Sequence, residues 1–257
     1  MDRFPSSLIE FHQQFGSEEA CARSLADLRW PDGVVCRCCQ SRRNWALKTK
    51  PDTFECANCG RQTSVTAGTI LHASKLPLTV WFLAAYFMAT HSNGLSARQL
   101  QSRLGLGSYR TAWMLAAKLR RAMVAPDRRP LAGLVEVDEP SLPLRTTDDP
   151  PAGGPAGGVG RSHDGKRLIV GAIEVTDGKP GRLRLQAIAD YSAQTLHAFV
   201  VQALAAGSIA KTDGWVGYPG APGVTHDPHV VGPMAAHVIL RWIHTVFANL
   251  NTWAKGV

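Results

Sequence analysis

The sequence predicts a multi-domain α+β chain: a cysteine-rich ribbon, then a helical segment, then an α/β mixed sheet. Three observations carry this. Two C-x2-C pairs, Cys36/Cys39 and Cys56/Cys59, stand sixteen residues apart. Residues 77–124 are apolar at helical spacing. From residue 133 the apolar pattern shifts to short, strand-like runs bounded by Gly, Pro and Asp.

Charge divides the chain near the same point. Residues 1–130 hold 18 Lys+Arg against 9 Asp+Glu, while residues 131–257 hold 10 against 11. The first half is therefore +9 and the second −1. A basic half on a near-neutral body fits a nucleic-acid-binding arm, with a well-solvated basic surface as the alternative. No apolar run reaches the roughly 18 residues of a membrane span. The opening MDRFPSSLIEFHQQF lacks the basic-then-apolar pattern of a secretory signal. A cytoplasmic protein with no membrane association is expected.

In chain order, residues 1–30 read as short helices, with Ser17 ahead of Glu18 and Glu19 starting the second. Cys21 lies in that helix and reads as core. Residues 31–70 form the ribbon. Cys36, Cys39, Cys56 and Cys59 supply four thiolates from two knuckles for one tetrahedral Zn²⁺. Gly60 follows the second pair, where a knuckle needs a tight turn. Scattered free thiols or two disulfides are the alternatives, and a reducing compartment disfavours the disulfides. Cys38, inside the first knuckle, reads as a free thiol, with an alternative zinc ligand as the second reading. Four thiolates leave no open position, so this zinc is structural and the chemistry lies elsewhere.

Residues 75–125 have a helix-turn-helix-like shape. Leu95, Leu100 and Leu104 line one face of a first helix, and Gly105-Leu106-Gly107 makes the turn. Ser108 starts a second helix carrying Tyr109, Arg110, Lys118, Arg120 and Arg121. Its N-terminal Ser108, Tyr109 and Arg110 are where base edges or phosphates would be met. An ordinary helical hairpin with a basic outer face would read similarly. Beside the ribbon and the +9 half, double-stranded DNA is the expected partner. The Pro-flanked APDRRP at 125–130 reads as a linker.

Residues 131–257 read as strands at 134–138, 167–175, 181–189 and 208–213, a helix at 192–206 with Ser192 as N-cap, and an amphipathic helix at 235–256. TTDDPPAGGPAGGVGR, at 146–161, reads as a mobile loop. Three strands, a helix, a fourth strand and a late helix is the order of a ribonuclease H-like sheet, where the first and fourth strands are neighbours. Asp138 ends the first and Asp213 the fourth, so that order brings them together. Two carboxylates there repel unless cations bridge them. Mg²⁺ or Mn²⁺ could activate a water or a 3′-hydroxyl and stabilise the leaving oxygen of a phosphodiester. Each aspartate alone would also suit a turn. Leu134, Val135 and Val137 are expected to be buried. Glu136 is expected to be solvated or ion-paired, Glu139 to point away from Asp138, and Asp190 to start a helix.

Six stretches occur together in order: C-R-C-C with C-A-N-C-G, S-V-T-A-G-T-I-L-H (64–72), L-P-L-T-V-W-F (76–82), V-E-V-D-E (135–139), K-T-D-G-W-V-G-Y (211–218) and W-I-H-T-V-F-A-N-L (242–250). Through them the chain resembles bacterial insertion-sequence transposases of the ISXO type, which join a zinc ribbon and a helical DNA-binding segment to a DDE-like catalytic domain. The resemblance implies cleavage and strand transfer at the terminal inverted repeats of a mobile element, acting on transposon ends and target DNA. It implies a homo-oligomer on DNA, since two ends must be paired. It implies Asp138 and Asp213 as catalytic residues, with Asn249 as the third metal-facing group. An amide oxygen brings no charge, so metal binding should be weaker. The family's Lys after the N-L pair, which holds DNA phosphate, is Asn251 here, with Lys255 as a substitute. Pro140 stands where the family has a hydroxyl residue. The family also continues past the K-G-V at 255–257, so a truncated copy with an incomplete sheet domain is expected. Two rival readings are a catalytically inactive DNA-binding remnant and a zinc-ribbon transcriptional regulator.

Overall fold

The computed structural model describes residues 4–92, 94–124, 128–143, 166–230 and 236–256. It divides into two compact units, Met1–Ala125 and Pro126–Gly256. The glycine-rich 146–161 stretch lies outside the described residues.

The first unit opens with helices α1 (Leu8–Phe15) and α2 (Glu18–Arg29). Ser7 and Ser17 cap them, accepting from the amides of Glu10 and Ala20. Strands β1 (Asn44–Leu47), β2 (Lys50–Cys56) and β3 (Gln62–Ser64) follow as an antiparallel sheet. Helices α3 (Leu78–Thr90), α4 (Ala97–Arg103) and α5 (Tyr109–Ala122) complete the unit. One core joins them, with Cys21, Val65, Leu78, Trp81, Leu100 and Leu115 in contact. Arg29 links helix to ribbon, donating to the carbonyls of Val65 at 2.7 Å and Ala67 at 2.6 Å. Ser96 and Gln99 form a capping box at α4, and Gly105, at φ +61°, turns the chain toward α5.

The second unit contains β4 (Leu134–Asp138), β5 (Ser141–Pro143), β6 (Lys166–Thr176), β7 (Lys179–Ile188), α6 (Ala193–Ala203), β8 (Ile209–Thr212), β9 (Thr225–Pro228), α7 (Ala236–Ile239) and α8 (Arg241–Gly256). The six strands make one mixed sheet. β4 pairs antiparallel with β6 and parallel with β8. β6 also pairs antiparallel with β5 and β7, and β8 pairs parallel with β9. Strands β5 and β9 are additions to the expected four. At three and four residues they are too short to carry an alternating signal.

Alternation gives β4 two different faces. Val135 and Val137 join Leu168, Val170 and Ala172 in a core with Leu196, Phe199 and Val200 of α6. Glu136 and Asp138 face the other way, toward α8. There Ile173 packs with Leu240, Ile243 and Phe247. Gly171, opposite Asp138 in register, lets α8 approach closely: a Cβ there would lie 2.8–2.9 Å from Phe247 and Ile243.

Three expectations need correction. Leu134 is 36% exposed: it is the first residue of β4 and by alternation shares the face of Glu136 and Asp138 rather than the core face of Val135 and Val137. The single helix expected over 235–256 is two, α7 and α8, divided at the buried Leu240. Among the described residues Glu136 is neither solvated nor ion-paired. It is 5% exposed and accepts from the amides of Trp242 at 2.8 Å and Ile243 at 2.9 Å. Those amides in the first turn of α8 have no partner within the helix, so a carboxylate from β4 satisfies them.

Candidate active site and zinc centre

The ribbon's turns set the four thiols. The Gln40 amide donates to the Cys36 carbonyl at 3.0 Å, and the Gly60 amide to the Cys56 carbonyl at 2.9 Å. Both residues after a knuckle adopt positive φ, +58° for Gln40 and +68° for Gly60. The second knuckle uses glycine for this conformation, and the first forces it on a glutamine. Cys36 and Cys59 sulfurs stand 3.6 Å apart, and Cys39 and Cys56 sulfurs 3.5 Å. A tetrahedron of Zn–S bonds of about 2.3 Å has edges of about 3.8 Å, so the donor set fits zinc. The amides of Asn58 and then Cys59 pull the Cys56 thiol down to about 6. Cys38 is exposed and Cys21 is fully buried, its thiol donating to the Phe15 carbonyl.

The second cluster is acidic. Asp138, Glu139 and Asp213 each offer a carboxylate oxygen within 4.8 Å of the others. Asp138 ends β4 and Asp213 follows β8, the parallel strand beside it. The Trp215 amide donates to Asp213 Oδ1 at 3.0 Å, and Gly214, at φ +84°, makes the turn between them. His244 of α8 brings Nε2 to 3.3 Å from Asp138 Oδ2, without hydrogen-bond alignment. Ionised carboxylates at such separations repel by about 3 kcal/mol per pair at an effective dielectric of 20. An all-oxygen donor set of this kind fits a hard divalent cation.

Glu139 also departs from expectation. Alternation would turn it away from Asp138, but β4 ends at Asp138 and the rule ends with it. The Glu139 amide folds back to donate to Asp138 Oδ1 at 2.8 Å. Its carboxylate accepts from the Tyr218 hydroxyl. Tyr218 is 1% exposed, and burial first, then Glu139, pushes its pKa well above the usual phenol range, so it stays a donor. Asp190 starts a helix as expected, accepting from the Ser192 amide at 2.9 Å and from Thr195 Oγ1 at 2.8 Å.

Asn249 is half-buried on α8, five residues beyond His244. Helix geometry puts it about 140° around the axis from the residue that reaches Asp138. Asn251, seven residues beyond His244, lies within about 20° of that direction. Its Oδ1 is buried without a hydrogen-bond partner among the described residues.

On α5, Ser108, Tyr109, Arg110 and Arg121 are exposed, and Ser108 makes no side-chain cap bond. Lys118 instead sits over the Trp81 ring, 5.8 Å from its centroid. Arg120 donates to the Leu95 carbonyl at 2.9 Å. The Lys255 side chain lies outside the described residues. Reading the sequence alone missed Glu136, Glu139, Tyr218 and His244. All but Glu136 lie beyond the ends of predicted strands, although each falls within a stretch quoted for the family resemblance.

Comparison with known proteins bears on both centres. Residues 16–62 match the transposase zinc-ribbon domain family, and residues 130–257 match the ISXO2-like transposase domain family. An uncharacterized protein in transposable element ISH50 of Halobacterium salinarum is 33% identical over 127 residues. That alignment covers 49% of this chain and 42% of the relative, so the chain spans less than half of that protein's length. No solved structure matches the chain. Among the described residues no helix is long and apolar enough to cross a membrane. The two domain matches agree with the order of motifs along the sequence, and the chain belongs to the ISXO2-like insertion-sequence transposases.

Proposed function

We propose that the chain cuts and joins DNA at the terminal inverted repeats of an insertion sequence by divalent-metal phosphodiester chemistry. The observation carrying this reading is the meeting of Asp138 and Asp213 at the ends of adjacent parallel strands, within one carboxylate cluster. These two residues would hold Mg²⁺ or Mn²⁺; the family resemblance offers Asn249 as the neutral third group, whereas the α8 face that reaches Asp138 carries Asn251. A bound ion there supplies Lewis-acid activation of a water or 3′-hydroxyl and charge stabilisation at the transferring phosphoryl.

The chain's own groups do the positioning. The β4/β8 pair holds the two aspartates on rigid strands, and the Trp215 amide fixes the Asp213 carboxylate. Glu136 pins the start of α8 to the same strand. The first unit would engage double-stranded DNA through Ser108, Tyr109, Arg110 and Arg121, with Lys118 and Arg120 adding positive charge, and Lys255 of the second unit would add a further positive charge toward DNA phosphate. Pairing two ends calls for a homo-oligomer on DNA.

The test starts from the inverted repeats flanking the gene, found by sequencing, and a DNA fragment carrying one of them. In Mn²⁺ the native chain cuts the fragment. Asp213→Asn binds the same DNA with unchanged affinity and does not cut. Undiminished cutting by that variant would sink the assignment.

A further inference from the structure

We infer that Glu139 is a third carboxylate ligand of the cation site and that Tyr218 is the residue that positions it. The inference rests on reading Asp138 and Asp213 as cation-holding, and it adds a ligand that neither strand order nor the family resemblance supplied. Three observations lead to it. First, the Glu139 carboxylate shares the 4.8 Å cluster with both aspartates. Second, its amide is turned back onto Asp138 Oδ1, which fixes the direction in which the chain leaves β4. Third, the Tyr218 hydroxyl donates to Glu139 Oε2 at 2.5 Å from a ring that is itself core, packed among the residues of the α6 face.

The third observation is the decisive one. A glutamate whose only role is surface solvation has no use for a buried phenol. A hydrogen bond from a buried, immobile donor fixes the carboxylate rotamer beside the two aspartates. The segment that does this also carries Asp213. Gly214 takes φ +84°, and a Cβ at Gly217 would lie 2.8 Å from Leu196, so the 213–218 turn is held tightly against α6. One turn thus delivers a ligand and the group that aims another. A third negative charge favours a hard divalent cation.

The probe is Mn²⁺ alone, added to the full chain with zinc in the ribbon, with free Mn²⁺ read by electron paramagnetic resonance. Glu139→Gln keeps the side-chain shape and removes the charge. It should weaken Mn²⁺ binding by about tenfold or more. Tyr218→Phe should weaken it by about tenfold, and by nothing further in a Glu139→Gln background. A purely structural tyrosine would not show that dependence. If Asp213→Asn loses Mn²⁺ while Glu139→Gln keeps native affinity, the inference fails and the two-aspartate reading stands. If Asp213→Asn also keeps native affinity, the cation reading falls and the inference with it. If Tyr218→Phe weakens binding equally in both backgrounds, Tyr218 does not act through Glu139. Should Tyr218→Phe not fold, Glu139→Gln alone decides the ligand.

Discussion

Glu136 shows how much one buried carboxylate can organise. It stands two residues before Asp138 on the same face of β4, and two amides of α8 converge on its Oε2. Removing it leaves buried donors unsatisfied and takes a negative charge from a helix N-terminus. Glu136→Ala should therefore lower the unfolding free energy of the second unit by about 2 kcal/mol, measured by urea denaturation. Glu136→Gln keeps an acceptor oxygen and should lose less. This residue was unreadable in the sequence because its partners lie 106 and 107 positions away. Asp138 and Asp213 were readable as neighbours because the order of strands and helices matches a layout in which the first and fourth strands adjoin. Glu139 was misjudged because period-two alternation was carried one residue past the end of its strand.

At the level of elements, the segment entering the sheet domain is tied down by a charged network. Glu174 accepts from the Ala132 amide at 2.7 Å and from Arg182 Nε at 2.9 Å, while Arg182 and Arg184 reach the carbonyls of Pro130 and Arg129. The hydrogen bond from Arg182, against the opposing effect of burial, holds the Glu174 pKa below the usual carboxylate value. A depressed pKa means the stabilisation is fully present above the unfolded value of about 4.3 and is lost as pH falls through the lower folded value. The stability gap between the native chain and Glu174→Gln should thus stay constant from about pH 7 to 5 and close below about pH 4. A gap that persists at about pH 2 would contradict the network's role. The seat of α8 makes a second prediction. Gly171→Ala places a methyl against Phe247 and Ile243, so it should destabilise the unit by about 1–3 kcal/mol in thermal melts. It should also shift α8, and His244 with it, relative to Asp138. No sequence pattern announced this close approach, since a lone glycine in a strand also marks a bulge.

Across the whole molecule, the expectation of an α+β chain with a mixed sheet and a four-cysteine cluster agrees with the structure. It was legible because cysteine spacing and the change of apolar period are local signals. The short strands β5 and β9 and the break before α8 are set by tertiary pairing, so local patterns could not reveal them. The division of charge, +9 on residues 1–130 and −1 on 131–257, follows the division of labour proposed here, with DNA held by the first unit and cut by the second. In the proposed function Asp138 and Asp213 hold one cation. Iron-directed backbone cleavage tests it most directly: the zinc-loaded chain is given Fe²⁺ and ascorbate, and the cut sites are read by mass spectrometry. Two sets of cuts are expected, one around Asp138 and one around Asp213, both suppressed by excess Mg²⁺. The absence of cuts at both positions, or cuts there that Mg²⁺ does not suppress, would contradict it.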